Sequence, residues 1–233
     1  MKNILLACLL FVSFQLSAQV LPLRQQATVI DEVLSDRLNN LLPSLMEKNG
    51  IDMWVLITRE YNEDPIVKTM LPATWLSARR RTILVFYYNP QTKEYQKLAV
   101  ARYSVGESIK AAWDMKAHPD QWDALNAIVT KYQPKKIAVN TSVHFGHADG
   151  LDHTEYETFK QKLPAPYASK IVSSEPLAIA WLETRTEKEM QFYPQLIKMS
   201  KDIIAEGFSS KVITPGITTT EDLVWWYRQE IIK

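Results

Sequence analysis

Leu34, Leu38, Leu41 and Leu45 recur at helical spacing, so residues 28–48 are predicted to form an amphipathic helix. Pro43 lies inside this pattern and should kink the helix or restart it, because an interior proline costs about 3 kcal/mol. Lys48 followed by Gly50 predicts the helix's C-terminal cap. The period then changes. Met53-Trp-Val-Leu-Ile57 is an unbroken apolar run, as expected of a strand covered on both faces. Asp64-Pro65 supplies an N-cap and a first-turn proline for a short helix reaching about Leu71. Residues 82–88, rich in β-branched and aromatic side chains, form the strongest strand signal. Asn89-Pro90 punctuates it before a second strand from Tyr95 to Ala101, which predicts a hairpin.

Further along, Asp120 caps a helix that carries Trp122, Leu125, Val129 and Tyr132 on one face and ends at Pro134. A short strand is predicted over Lys136–Asn140. Asp152 and Glu155 have capping-box spacing ahead of Tyr156, Phe159 and Leu163, and Ala168–Val172 reads as a last strand. Helices and strands alternating in this order predict an α/β layer architecture with a mixed sheet flanked by helices, about 150 residues long. The pattern changes after Pro176. Thr186 and Glu189 have capping-box spacing before a long helix bearing Met190, Tyr193, Ile197, Ile204 and Phe208, ending near Gly207 and interrupted by Pro194. A turn at Thr214-Pro215-Gly216 leads to a second helix, opened by Thr218 and Glu221 and bearing Leu223, Val224, Trp226, Tyr227 and Ile231. Two helices and a turn offer too little surface to bury these side chains, so further chain is expected after Lys233. The organisation read from this is residues 1–18 as a signal peptide, 19–176 as the α/β domain, and 177–233 as the start of a second domain.

The first eighteen residues differ from everything else. Lys2 precedes an apolar run from Ile4 to Leu16, and Ser17-Ala18 offers small residues for cleavage, the layout of a secretory signal peptide too short to span a membrane. Cleavage after Ala18 would leave Gln19 first and place the protein in a secreted or periplasmic compartment. Leu5-Leu-Ala-Cys8 loosely resembles a lipidation signal, but Cys8 precedes the end of the apolar run. Removing the segment takes away Lys2 and the only cysteine, so 26 basic residues remain against 26 acidic ones. A neutral chain argues against a nucleic-acid partner, and a chain without cysteine is held by its core rather than by disulfides. Balanced usage with seven Trp and ten Tyr excludes disorder, collagen and coiled coil.

Two regions hold candidate chemistry. All four histidines fall between positions 118 and 153, and His144, His147, Asp149, Asp152 and His153 are of metal-ligating type. Gly146, Gly150 and the capping role of Asp152 favour a structural loop over a ligand set, with a contribution to an active-site rim as the other reading. Arg79-Arg80-Arg81 follows Trp75 closely. These arginines either face a substrate carboxylate or a partner subunit's active-site mouth, or form a solvated strand entrance with one arginine in an ion pair. Trp225-Trp226-Tyr227 has the helix-face spacing of a core or interface rather than of a ligand platform. No phosphate-binding glycine loop and no Gly-x-Ser-x-Gly elbow occurs.

Ile213-Thr-Pro-Gly-Ile-Thr-Thr-Thr-Glu221 resembles the opening of the "pita-bread" catalytic domain of the creatinase, prolidase and aminopeptidase P superfamily. Arg79-Arg-Arg-Thr-Ile-Leu-Val-Phe-Tyr87 and Ala148-Asp-Gly-Leu-Asp-His-Thr-Glu-Tyr156 resemble its secreted Xaa-Pro aminopeptidase-like members, and the preceding α/β region resembles their creatinase-like N-terminal domain. The resemblance implies a metallopeptidase cleaving Xaa-Pro bonds. Two divalent metal ions, of Mn or Zn type, would be held by two Asp, one His and two Glu in the later part of that domain. None of those positions occurs here, so no metal ligand or catalytic residue is assigned in this chain. The chain is expected to be an N-terminal fragment, inactive alone, shaping substrate access and dimer contacts. Trp75, Arg79 and His147 are its substrate-side candidates. The implied partners are proline-containing peptides and a second copy in a homodimer, with no nucleic acid and no membrane span. A non-catalytic secreted binding or oligomerisation module stays open, as does hydrolysis of another amide or amidine.

Overall fold

The computed structural model describes residues 20–232. The expected signal segment, with Cys8 and the Ala18–Gln19 junction, lies outside the described residues. The chain divides into two compact units, the first ending at Glu183 and the second starting at Thr184.

The first unit is the expected mixed α/β layer structure. Helix α1 (Leu23–Asp36) runs through a π-helical turn at residues 37–41 into α2 (Leu42–Asn49). Pro43 is the second residue of α2, directly after the π-helical turn, and Gly50 closes the helix in the left-handed conformation with φ 62°. Strand β1 (Met53–Arg59) is followed by a short α3 (Pro65–Lys68), which stops before Leu71. Next come β2 (Arg81–Tyr88), β3 (Tyr95–Ala99) and the two-residue β4 (Lys110–Ala111). Helix α4 (Gln121–Tyr132), β5 (Ile137–Val139), α5 (His153–Lys162), a single turn α6 (Ala165–Ala168), β6 (Ile171–Ser173) and α7 (Glu175–Glu183) complete the unit.

The six strands form one sheet in the order β4-β3-β2-β1-β5-β6. The predicted hairpin is present, with β2 and β3 antiparallel and Leu84 opposite Ala99. β1 is antiparallel to β2 but parallel to β5, which makes the sheet mixed. The apolar run of β1 is continuous because both faces are covered. Trp54 and Leu56 pack with Leu42, Met46, Ile66 and Trp181, whereas Met53, Val55 and Ile57 pack with Trp122, Leu125 and Phe159. Helix α7 closes the first of these layers by burying Leu177, Ala178 and Trp181, and the first compact unit ends with it at Glu183.

Two local expectations change, and one strand is unforeseen. The strand expected over Ala168–Val172 is displaced to Ile171–Ser173, because Pro164 and Pro166 favour the turn α6. Asp152 caps α5 through Glu155 N (3.0 Å), but the Glu155 side chain pairs with Arg81 (2.9 Å), so only half of the predicted capping box forms. β4 has no signal of its own in the sequence.

In the second unit the Thr186–Glu189 capping box is complete and opens α8 (Glu187–Met190). Pro194 then sits in the first turn of α9 (Tyr193–Gly207), starting a new helix instead of bending a long one. Helix α10 (Thr220–Ile232) is capped one residue later than expected. Thr219 Oγ1 accepts from Asp222 N (3.1 Å), and Asp222 Oδ2 accepts from Thr219 N (2.8 Å).

Candidate functional site

The C-terminal end of β1 and the start of β2 meet at an open cavity of about 820 Å³ in the first unit. That volume falls in the range of small-ligand sites. Trp75, Leu76 and Arg79 line it from the β1–β2 connection, together with Arg80, and Arg102 and Tyr103 line it from the segment after β3. Glu60, next after β1, is the one acidic lining residue.

This arrangement follows from the hairpin. Leu84 pairs with Ala99, so the same register carried outward brings Arg102 and Tyr103 beside Arg81 and Arg80. The strand pleat then divides the arginine run. Arg81 shares a face with Ile83 and Val85. There it reaches Glu155 and lies 5.0 Å over the Trp122 ring. Arg80 leaves the strand with φ 50°, a left-handed conformation that costs a non-glycine residue on the order of 1 kcal/mol. Glu60 holds it there from both sides: Glu60 N donates to Arg80 O (2.6 Å), and Arg80 N donates to Glu60 Oε2 (2.9 Å). Arg79 lies 5.1 Å over the Trp75 ring, and its carbonyl accepts from the Thr82 hydroxyl (2.9 Å) and the Tyr103 hydroxyl. Trp75 and Tyr103 meet edge to face with centroids 5.8 Å apart. Leu76, 97% exposed, stands on the rim.

The structure therefore brings Trp75 and Arg79 into one cavity and leaves His147 outside it. His147 is exposed on the 3₁₀ turn Gly146–Ala148, its ring 5.5 Å from Phe145. The loop around it is occupied with holding itself. Ser142 N donates to Asp149 Oδ1 (3.0 Å), and the Ser142 hydroxyl accepts from His144 N (3.1 Å) and Phe145 N (2.8 Å). Among the described residues no group of three or more His, Cys, Asp or Glu side chains is placed to hold a metal ion. No described helix is long and apolar enough to cross a membrane.

Arg102, Tyr103 and Glu60 escaped the sequence reading. Only the hairpin register could have pointed to the first two, because they lie more than twenty positions from Trp75 in the chain.

The chain matches no family model and no curated protein. Among solved structures it is similar to an Xaa-Pro dipeptidase from Bacillus anthracis, at 16% identity and a TM-score of 0.48. The match covers 84% of this chain and 48% of that one, so the chain spans about half the length of the dipeptidase.

Proposed function

We propose that this chain is the substrate-side portion of a secreted or periplasmic two-metal exopeptidase that cleaves Xaa-Pro peptide bonds. In this reading it shapes substrate access and contributes to a homodimer, and the metals and catalytic groups are held by residues other than those described. The main support is the cavity at the end of β1. The Trp75 and Tyr103 rings give an apolar surface suited to a prolyl ring, and Arg79 stands over the indole with its N–H edges available to a peptide. His147 stands outside this cavity, on the 3₁₀ turn Gly146–Ala148.

The test is hydrolysis of Xaa-Pro dipeptides and tripeptides, with Mn or Zn supplied, by the full-length protein purified from its own host, with this chain alone expected to be inactive. Trp75→Ala should raise KM several-fold with a smaller change in kcat, because the ring binds substrate and takes no part in bond breaking. A wild-type protein that cleaves no Xaa-Pro bond refutes the assignment. One observation favours the binding or oligomerisation module instead. In the second unit Ile197, Ile204, Phe208 and Trp225 are each more than half exposed. A protein that self-associates and lacks peptidase activity would favour that reading.

A further inference from the structure

The cavity beside Trp75 has an unbalanced charge. Arg79, Arg80 and Arg102 line it, and among the described residues none of their guanidinium groups pairs with a carboxylate. Arg81 is withdrawn from it by Glu155. Glu60 is the one acid in the lining, and its Oε2 is already engaged by Arg80 N. Three cations against one anion leave two positive charges uncompensated. Like charges gathered around a concavity repel one another, and the left-handed backbone at Arg80 adds a local cost. Such costs persist where the surrounding structure holds them, as Glu60 holds Arg80, and they cluster at ligand-binding sites. Arginine forks match carboxylates, and the neighbouring Trp75, Tyr103 and exposed Leu76 supply apolar contact for the rest of a ligand.

We propose that this cavity selects acidic peptides, namely short peptides that carry two negative charges downstream of proline, a free α-carboxylate and an acidic side chain. The peptide part rests on the Xaa-Pro reading above; the two charges rest on the count of arginines. Arg80 and Arg102, whose guanidinium groups have no carboxylate partner among the described residues, take the two carboxylates, Arg102 from its place 5.6 Å over the Trp113 ring. Arg79, partly committed to the Trp75 ring, orients the chain between them.

Calorimetric titration of the purified chain at low salt tests this with three tripeptides. Ala-Pro-Glu carries two downstream charges, Ala-Pro-Gln one, and the C-terminal amide of Ala-Pro-Gln none. Affinity should fall roughly ten-fold at each step, the size of one charge-assisted hydrogen bond. Arg80→Gln and Arg102→Gln should each erase most of the preference for Glu over Gln, and unchanged circular dichroism would show that both variants fold. Equal affinity for the three peptides, absence of binding at millimolar concentration, or inorganic phosphate binding as tightly as Ala-Pro-Glu would each overturn the proposal. Ala-Ala-Glu binding as tightly as Ala-Pro-Glu would refute the Xaa-Pro reading and leave the preference for two charges standing.

Discussion

The Asn140 side chain makes four hydrogen bonds to three residues, and its replacement by alanine gives a measurable test of how the sheet is tied to its helices. It follows β5 directly and is 1% exposed. Its Nδ2 donates to both oxygens of Asp64, at 3.0 and 2.8 Å. Its Oδ1 accepts from Trp54 Nε1 at 2.9 Å and from the Ser174 hydroxyl at 2.5 Å. In Asn140→Ala the buried indole N–H loses its partner, which costs about 1–3 kcal/mol. Asp64 keeps the N–H groups of Ile66 and Val67 but loses two charge-assisted bonds at a site with no solvent access. The Ser174 hydroxyl can rotate and adds little. The sum is about 3–5 kcal/mol, equivalent to a fall in Tm of roughly 6–20 °C for a domain of this size. Urea unfolding followed by circular dichroism, with the slope m compared between the two proteins, reads it directly. A loss below about 1 kcal/mol at unchanged m would show that the network is incidental to stability.

Four further outcomes follow from particular contacts. A Cβ on Gly150 would lie 2.6 Å from Pro65 Cδ and closer still to the Asp64 carboxylate, so Gly150→Ala should cost about 1–3 kcal/mol. Gly146→Ala, which meets nothing within 4 Å, should stay within about 0.5 kcal/mol in the same melts. Glu155→Gln removes the buried partner of Arg81 and of Arg59. Because Arg81 is about one-third exposed, the loss should be about 1–3 kcal/mol by urea titration, short of that for a fully buried pair. Burial pushes the Asp64 carboxyl above its usual value of 3.8, against the lowering effect of Asn140. The folded protein then holds that proton more tightly than the unfolded chain. Stability from this group is complete below the unfolded value and is lost as pH rises through the folded one. Stability relative to Asp64→Asn should accordingly decline across that window and level off above it; a difference that stays flat with pH would contradict the assigned burial effect.

The layers were legible because apolar periodicity reports burial. The continuous run in β1 required two covered faces, and the structure supplies them with Met46 and Trp181 on one side and Leu125 and Phe159 on the other. Caps were legible where one residue type fitted, as at Gly50, Asp120 and Thr186. They were misplaced where Thr218, Thr219 and Thr220 stood in a row, since the three differ only in which acid their partner geometry reaches. Strand order was not legible, because pairing across the sheet depends on connections and not on local pattern. The same limit hid half of the cavity. Trp75 and the arginine run are visible as neighbours in the chain, whereas Arg102 and Tyr103 join them only through the β2–β3 register.

The division of the arginine run carries an energetic consequence that separates ligand binding from stability. Arg81 is neutralised by Glu155, but Arg79, Arg80 and Arg102 share one cavity without a carboxylate partner among the described residues. Arg79 and Arg102 recover part of that cost over Trp75 (5.1 Å) and Trp113 (5.6 Å), whereas among the described residues no such ring contact holds Arg80. Arg80 also carries the left-handed backbone with φ 50°. Arg80→Gln should therefore stabilise the unliganded protein by ~0.5 kcal/mol at low ionic strength, and 1 M salt, with a Debye length of about 3 Å, should abolish the gain. Arg80→Gly removes the same charge and should add up to about 1 kcal/mol that salt does not remove, because the added part comes from relief of the left-handed backbone. Paired melts at two salt concentrations separate the two contributions. An Arg80→Gln protein less stable than wild type at low salt would mean that the guanidinium has an intramolecular role, and that the cavity is not poised for an anion.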